Sequence, residues 1–139
     1  MELTRRGLIA LGAGAAAIAM IPALPAHAAV EDAIRAFTGG AALGEGGITL
    51  TTPEIAENGS TVPVTVSAPG AVSITLLATA NPNPGVGTFH FGPLAASQTA
   101  TTRIRLAATQ DVIAIAKMAD GSFVQATKNV KVTIGGCGG

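Results

Sequence analysis

Apolar and polar residues alternate along most of this chain, and the alternation predicts β-strands. A period of two is typical of strands with one face buried and the other in water. The residues that follow this pattern are Ile48 and Leu50, then Val62, Val64 and Val66, then Val72, Ile74 and Leu76, then Ile104 and Leu106 opposite Arg103 and Arg105, and finally Val130, Val132 and Ile134.

Segments rich in Gly, Pro and Asn separate these runs and predict turns. Residues 81–85 form a strong breaker, and Asp120-Gly121 predicts a two-residue hairpin. Pro63 lacks a backbone donor, which places its strand at a sheet edge or at a local irregularity. About seven short strands joined by such turns predict an all-β, immunoglobulin-like antiparallel β-sandwich. A small barrel is the alternative.

Two segments depart from simple alternation. Val30, Ile34 and Phe37 share one helical face, which predicts a short N-terminal helix that ends at Gly39-Gly40. Residues 112–118 are apolar on both faces. The last strand, residues 129–134, matters because it anchors the C-terminal tail. We therefore expect the tail to leave the domain from a fixed point.

The N-terminus has the features of an export signal. Arg5-Arg6 begins a weakly apolar run that continues to Ile21, and residues 26–28 supply an A-x-A cleavage site. The run is shorter than the roughly 18–20 residues that span a bilayer. The prediction is a twin-arginine signal peptide over residues 1–28, cleavage near Ala28, a periplasmic product and no membrane anchor. The domain then covers residues 29–134 and the tail residues 135–139.

The composition of the exported part excludes several functions. Its net charge is near −1, and the four aromatic residues are all phenylalanines, so nucleic-acid binding is not expected. His90 is the one histidine after residue 28, and one histidine with one distant cysteine does not make a metal site. No catalytic residue and no cofactor are predicted, because no recognisable nucleophile, paired-carboxylate or phosphate-loop pattern is present.

Cys137 is the single cysteine of the chain, and it lies in a glycine-rich tail. Gly135, Gly136, Gly138 and Gly139 flank it, so the thiol is expected to lie on a flexible arm rather than in a core. The arm reaches roughly 10 Å beyond Ile134. A single exported cysteine is either a pairing site or a reactive group. The sequence predicts that Cys137 presents its thiol to the active sites of other proteins.

Two alternatives for the tail have to be weighed. Some small sulfur carriers use a terminal Gly-Gly carboxylate that an ATP-dependent enzyme activates, and Gly138-Gly139 fits that pattern superficially. The export signal counts against it, which favours the thiol. The other alternative is an exported, non-catalytic binding or assembly domain whose Cys137 forms an intermolecular disulfide.

Several stretches resemble one family. The tail, residues 130–139 with its Gly-Gly-Cys-Gly-Gly end, is similar to the C-terminus of the SoxY family, the sulfur-carrier subunits of the periplasmic thiosulfate-oxidising Sox system. The supporting stretches are residues 57–64, 81–84, 89–91, 102–107 and 120–123.

The resemblance implies a mechanism and partners. Cys137 would be joined oxidatively to thiosulfate by a SoxAX-type cytochrome. A SoxB-type hydrolase would then release sulfate, and a SoxCD-type sulfane dehydrogenase, where present, would oxidise the remaining sulfur. The family also implies a heterodimer with a SoxZ-like subunit. The apolar content, 48% of the whole chain, is compatible with such an interface.

Overall fold

The computed structural model describes residues 26–133; residues 1–25 and 134–139 lie outside the described part. The predicted arm and nearly all of the predicted signal peptide therefore fall outside it. Within this range the elements are α1 (Ala26–Thr38), β1 (Leu43–Glu45), β2 (Thr49–Thr51), β3 (Ile55–Ala56), β4 (Val62–Ser67), β5 (Ala71–Ala78), β6 (Gly85–His90), β7 (Thr99–Ile104), β8 (Gln110–Met118) and β9 (Phe123–Val132).

The strands form two separate sheets. One has the order β1-β9-β8-β5-β6, with β3 also paired to β9, and the other has the order β2-β4-β7. The long pairings are antiparallel, whereas the short strands β1 and β3 pair with β9 in parallel. The immunoglobulin-like sandwich is confirmed, and the small barrel is wrong for the strands described.

The main core lies between the two sheets. Strands β4, β5 and β8 each direct alternate side chains into it, as the period of two requires. Its fully buried large side chains include Val62, Val64, Val66, Ile74, Leu76, Val112 and Val130. Arg103 and Arg105 stay exposed while Ile104 and Leu106 are buried, which confirms the predicted alternation of β7 and the residues after it.

Helix α1 covers the outer face of the six-stranded sheet. Ile34 and Phe37 pack against Ile115 and Phe123, and the rings of Phe37 and Phe123 meet edge to face with centroids 5.7 Å apart. The predicted helix and its apolar face are confirmed. This third layer also explains why residues 112–116 of β8 are apolar on both faces, since β8 is buried by the second sheet on one side and by the helix on the other; Lys117, near the end of the strand, is exposed.

One predicted core position is wrong. Val72 continues the apolar alternation of β5 in the sequence, yet its side chain is 40% exposed. The β5–β8 register shifts between Ala71 and Ser73, so Val72 is the extra residue of a β-bulge. Ala71 takes the buried position before the bulge, and Ile74 takes it after the bulge.

The β8–β9 hairpin is wider than the predicted two-residue turn. The N–H of Met118 donates to the carbonyl of Ser122 at 2.8 Å, which leaves three residues, 119–121, in the loop. Gly121 has φ +87°, the left-handed conformation that such a three-residue loop places in its glycine. The turn itself was predicted correctly, and its length was not.

Pro63 lies in β4, the middle strand of the smaller sheet, opposite Arg103 of β7. Strand β2 pairs only with residues 65–67 of β4, so among the residues that the structure describes Pro63 has a strand on one side alone. This locally exposed edge is how the proline is accommodated. Within residues 26–133, no helix combines the length and hydrophobicity that a membrane span requires.

Candidate functional site at the root of the C-terminal arm

Cys137 and its flanking Gly135, Gly136, Gly138 and Gly139 lie outside the described residues. The structure instead shows the segment from which they continue. Strand β9 ends at Val132, and Thr133 is the last residue described. We call Lys131, Val132 and Thr133 the arm root, because whatever holds them fixes where the predicted arm begins.

One side of the arm root pairs with strand β3. The N–H of Lys131 donates to the carbonyl of Glu54 at 2.9 Å, and the N–H of Thr133 donates to the carbonyl of Ala56 at 3.1 Å. This parallel pairing is only two residues long, with Ile55 opposite Lys131. These hydrogen bonds extend the β9–β3 pairing to Thr133, the last residue described.

On the other side of the arm root no strand is present among residues 26–133, and a threonine side chain takes its place. Strand β8 begins at Gln110, which pairs with Val130, so β8 does not reach Val132. The hydroxyl of Thr109 accepts a hydrogen bond from the Val132 N–H at 2.9 Å and donates to the Val132 carbonyl at 3.3 Å. Both backbone groups of Val132 are thereby satisfied, as paired backbone groups usually are.

Two amide side chains hold the segment that carries Thr109. Gln110 is 4% exposed, accepts from the N–H of Ala80 at 2.8 Å, and donates to the carbonyl of Ala108 at 3.0 Å. It also donates to the side-chain oxygen of Asn81 at 2.9 Å. Because a buried amide is stable only when its polar atoms are satisfied, this network specifies one conformation for the segment.

Gly59 allows a second loop to pack against the arm root. A Cβ on this residue would lie 2.5 Å from the carbonyl oxygen of Leu106 and 3.0 Å from Cγ1 of Val132. The Gly59 carbonyl accepts from the Leu106 N–H at 2.7 Å, so the two backbones touch. The turn before it is closed by Asn58, whose side chain accepts from the Ser60 N–H at 3.0 Å. Asn58-Gly59-Ser60 is thus a turn.

The other residues considered from the sequence lie away from the arm root. His90 is exposed at the end of β6, opposite Ser73, and Phe89 and Phe91 on either side of it pack partly against the core. Residues 26–133 contain no group of three or more metal-ligating side chains. At the far end of β9, the hydroxyl and the N–H of Ser122 lower the pKa of Asp120 below its usual value of 3.8.

Thr109, Gln110 and Gly59 were not predicted from the sequence as site residues. A threonine and a glutamine before an apolar strand carry no distinctive signal, because their role depends on where β9 ends in space. The 81–85 breaker did indicate a turn. Gly59 also carries no distinctive signal in the sequence, because only the fold brings the Leu106 carbonyl next to it.

Comparison with known proteins identifies the family. The family described as "Sulfur oxidation protein SoxY" matches residues 34–137, three quarters of the chain and inclusive of Cys137. The solved structure of the sulfur carrier protein SoxY from Chlorobium limicola f thiosulfatophilum is 36% identical, with a TM-score of 0.68. The alignment covers 78% of this chain and 99% of that one. This chain belongs to the SoxY family.

Membership in the SoxY family supports a sulfur-carrier role for the chain. Other similar structures show only the fold. A superoxide reductase (neelaredoxin) from Ignicoccus hospitalis is 23% identical with a TM-score of 0.56, covering 63% of this chain and 81% of that one. A hypothetical protein from Pyrococcus horikoshii is 12% identical with a TM-score of 0.52, covering 68% and 99%. No curated protein is significantly similar.

Proposed function

We propose that the protein holds thiosulfate-derived sulfur covalently on Cys137 and presents it to the enzymes of thiosulfate oxidation. The observation that carries this proposal is the family match, which runs to residue 137 and so includes the single cysteine. The glycines around that cysteine leave its sulfur unshielded by neighbouring side chains. The carrier is a substrate of its partners and performs no catalysis itself.

The arm root supplies the fixed end that a carrier arm needs. Three residues separate Thr133 from Cys137, so the Cys137 Cα lies at most about 14 Å beyond that of the last described residue. Val132 is held by Thr109, and Thr133 is held by Ala56. These contacts prevent residues before Thr133 from adding to that length. A partner enzyme must therefore bring its reactive centre to within about 14 Å of the arm root.

The chemistry on the sulfur proceeds through stable covalent adducts. Oxidative coupling forms one bond between the Cys137 sulfur and the outer sulfur of thiosulfate, with loss of the thiol proton and transfer of two electrons to a c-type cytochrome. Hydrolysis of the S-thiosulfonate then releases sulfate and leaves a persulfide. Where a sulfane dehydrogenase is present, it oxidises the outer sulfur to a sulfonate, and a second hydrolysis regenerates the thiol. The sulfur is held covalently, so no cofactor is needed.

The proposal includes a SoxZ-like partner and export to the periplasm. Large apolar side chains exposed in the described part are Ile55, Val72 and Leu94, the last 97% exposed. Such groups favour a partner when they lie together, as Val72 does with Phe91 in one surface groove. We expect the chain alone to self-associate, and we expect gel filtration to show a defined heterodimer when a SoxZ-like subunit is added. N-terminal sequencing of the secreted protein should start near Ala29.

Mass spectrometry of the native protein tests the carrier role directly. After incubation with thiosulfate and the partner enzymes, the wild type should carry thiosulfonate or persulfide on Cys137, and Cys137→Ser should carry neither. Cys137→Ser should abolish thiosulfate-dependent turnover and leave the melting temperature nearly unchanged. A homogeneous disulfide-linked dimer without sulfur adducts would instead support the assembly-domain alternative.

A further inference from the structure

The outer face of the smaller sheet consists mainly of hydroxyl side chains. Strands β2, β4 and β7 direct alternate residues into the core, and the residues between them form this face. Six of the outward residues are Thr49, Thr51, Thr65, Ser67, Thr99 and Thr101. Pro63 and Arg103 complete the three strands, so no carboxylate lies on this side of them. We call this surface the hydroxyl face.

The hydroxyl groups of this face bond to one another across neighbouring strands. The hydroxyl oxygens of Thr65 and Thr101 are 3.0 Å apart, and the Thr99 hydroxyl donates to the Ser67 hydroxyl at 3.0 Å. A polar group that keeps a hydrogen-bond partner loses less on removal of water than one left unpaired. Another protein can therefore cover the hydroxyl face at a low cost of desolvation.

Two arginines lie at one end of the hydroxyl face. Arg103 is opposite Pro63, and Arg105 is two residues further along, with its Cα about 7 Å away in extended geometry. Both side chains are exposed while Ile104 between them is buried, so the two guanidinium groups leave the chain on the same side. Among residues 26–133 the only salt bridge joins two residues of helix α1. We call Arg103 and Arg105 the arginine pair, and no carboxylate of the described part forms a salt bridge with it.

The arginine pair lies beside the arm root and is held there by backbone contacts. The Arg105 carbonyl accepts from the Asn81 side chain at 2.8 Å, and the N–H of Leu106 donates to the Gly59 carbonyl at 2.7 Å. A Cβ on Gly59 would in turn lie 3.0 Å from Cγ1 of Val132. An enzyme that brings its reactive centre to within about 14 Å of the arm root therefore also approaches the arginine pair.

We propose that the arginine pair and the hydroxyl face form a docking surface for the enzyme that hydrolyses the S-thiosulfonate of Cys137, and that this enzyme has an acidic surface beside its active-site entrance. The inference rests on the proposed carrier function and adds a contact made by the body of the protein rather than by the arm.

The chemistry of the surface favours an acidic protein over a small anion. Arginine side chains donate paired N–H bonds to carboxylates. The arginine pair is exposed on a sheet face and not enclosed, so a free oxyanion there would stay in water and be held weakly. Exposed charges of this kind raise the rate of encounter and orient the partner. Because each exposed ion pair is weak, the enzyme is released after each turnover.

The test measures sulfate release by a SoxB-type hydrolase from full-length mature protein. Tetrathionate reacts with the Cys137 thiolate to give the S-thiosulfonate and thiosulfate, and mass spectrometry verifies loading. The variants are Arg103→Gln, Arg105→Gln and the two combined. Lys117→Gln is the matched control, because it removes one exposed positive charge from the other sheet, opposite Phe123 at the far end of β8. Melting temperatures verify that all variants are folded.

We expect each arginine substitution to lower kcat/KM by about two- to fivefold through KM, with kcat unchanged, the range for an exposed ion pair. The combined variant should also show a shallower dependence of kcat/KM on salt, because fewer charges remain to be screened. Lys117→Gln should behave as the wild type.

A second measurement isolates docking of the body from the cargo. Cys137→Ser protein cannot be loaded, so it should act as a competitive inhibitor of the hydrolase. Its inhibition constant should rise by the same factor when Arg103 and Arg105 are replaced in that background, and should stay unchanged on Lys117→Gln.

Four outcomes would overturn the docking surface. These are wild-type kcat/KM in the combined variant, an equal loss in Lys117→Gln, a fall in kcat with KM unchanged, and stronger inhibition by sodium sulfate than by sodium chloride at equal ionic strength that is lost in the combined variant. The last would indicate a site for a small anion. None of these outcomes affects the carrier role, which instead fails if Cys137→Ser retains turnover. The two failures are therefore distinguishable.

Discussion

The Thr109 hydroxyl binds both backbone groups of Val132, at 2.9 Å from its nitrogen and 3.3 Å from its carbonyl oxygen. Strand β8 does not extend as far as Val132, so the Thr109 side chain makes the hydrogen bonds that a neighbouring strand would make there. This contact lies at the end of β9, just before the predicted arm. If residues 135–139 act as the proposed arm, this contact sets its length, because residues before the fixed point cannot contribute to its reach.

Thr109→Val should free the arm root without altering the core. Valine has the same shape but no hydroxyl, so both hydrogen bonds to Val132 are lost at a cost of about 1 kcal/mol. Hydrogen exchange of the Val132 amide should accelerate by roughly fivefold. NMR-detected exchange measures this, and a spin label on Cys137 should show greater mobility.

Two further variants make the Thr109 test specific. Thr109→Ser keeps the hydroxyl and should retain protection of the Val132 amide. Thr101→Val removes another exposed threonine hydroxyl, which bonds Thr65 at 3.0 Å in the other sheet, and should leave the Val132 amide unaffected. If Thr101→Val accelerates exchange of the Val132 amide as much as Thr109→Val does, the effect is general destabilisation. The proposal that the Thr109 hydroxyl specifically holds the arm root is then wrong.

The sequence predicted the sandwich, the helix and the hairpin turns because each has a local signal. Alternation places Ile104 and Leu106 inside, and the helical face of Ile34 and Phe37 is visible from spacing alone. The bulge at Val72 was missed because a bulge is a disagreement between two strands. No property of β5 by itself reveals that its register to β8 shifts there.

The candidate site was predicted only in part for a related reason. Cys137 and its glycines stand out in the sequence because one cysteine among glycines is chemically unusual. The residues that hold the arm root are ordinary ones. Thr109, Gly59 and Asn81 are distant along the chain from residue 132, and only the fold brings their loops to the end of β9.

Gly59→Ala should destabilise the loop that packs on the arm root. The new Cβ would lie 2.5 Å from the Leu106 carbonyl oxygen, a backbone atom that cannot move aside cheaply. We expect a loss of about 1–3 kcal/mol in the free energy of unfolding, measured by urea denaturation. Gly87→Ala is the control, because nothing lies within 4 Å of a Cβ there. Equal stability of the two variants would show that the loop relaxes freely.

Asp120 should make stability depend on pH at the β8–β9 turn. Its carboxylate accepts from the Ser122 hydroxyl at 2.6 Å and from the Ser122 N–H at 2.9 Å, which lowers its pKa below 3.8 in the folded state. A lowered folded-state pKa stabilises the protein above about pH 4, and the contribution is lost as pH falls through the folded-state pKa.

Asp120→Ala should therefore lower the melting temperature between pH 5 and 8, and the difference from wild type should shrink below pH 3.8. Ser122→Ala removes the hydroxyl donor, so the pKa of Asp120 should rise toward its usual value in an NMR titration. A melting difference that stays constant down to pH 2 would mean that the effect of the substitution does not come from ionisation of the Asp120 carboxylate.

The predicted arm is tested by valine substitutions on either side of Cys137. Gly136→Val and Gly138→Val should retain the thiol and its labelling by a small alkylating reagent, yet slow thiosulfate-dependent turnover by partner enzymes. A β-branched residue restricts the backbone and is wider than glycine in a narrow channel. Gly136→Ala, with one added methyl group, should have a smaller effect. A protein that used Cys137 only for a disulfide-linked assembly would tolerate a bulky neighbour. Normal turnover in both valine variants would therefore contradict the proposal that Cys137 needs glycine on either side of it.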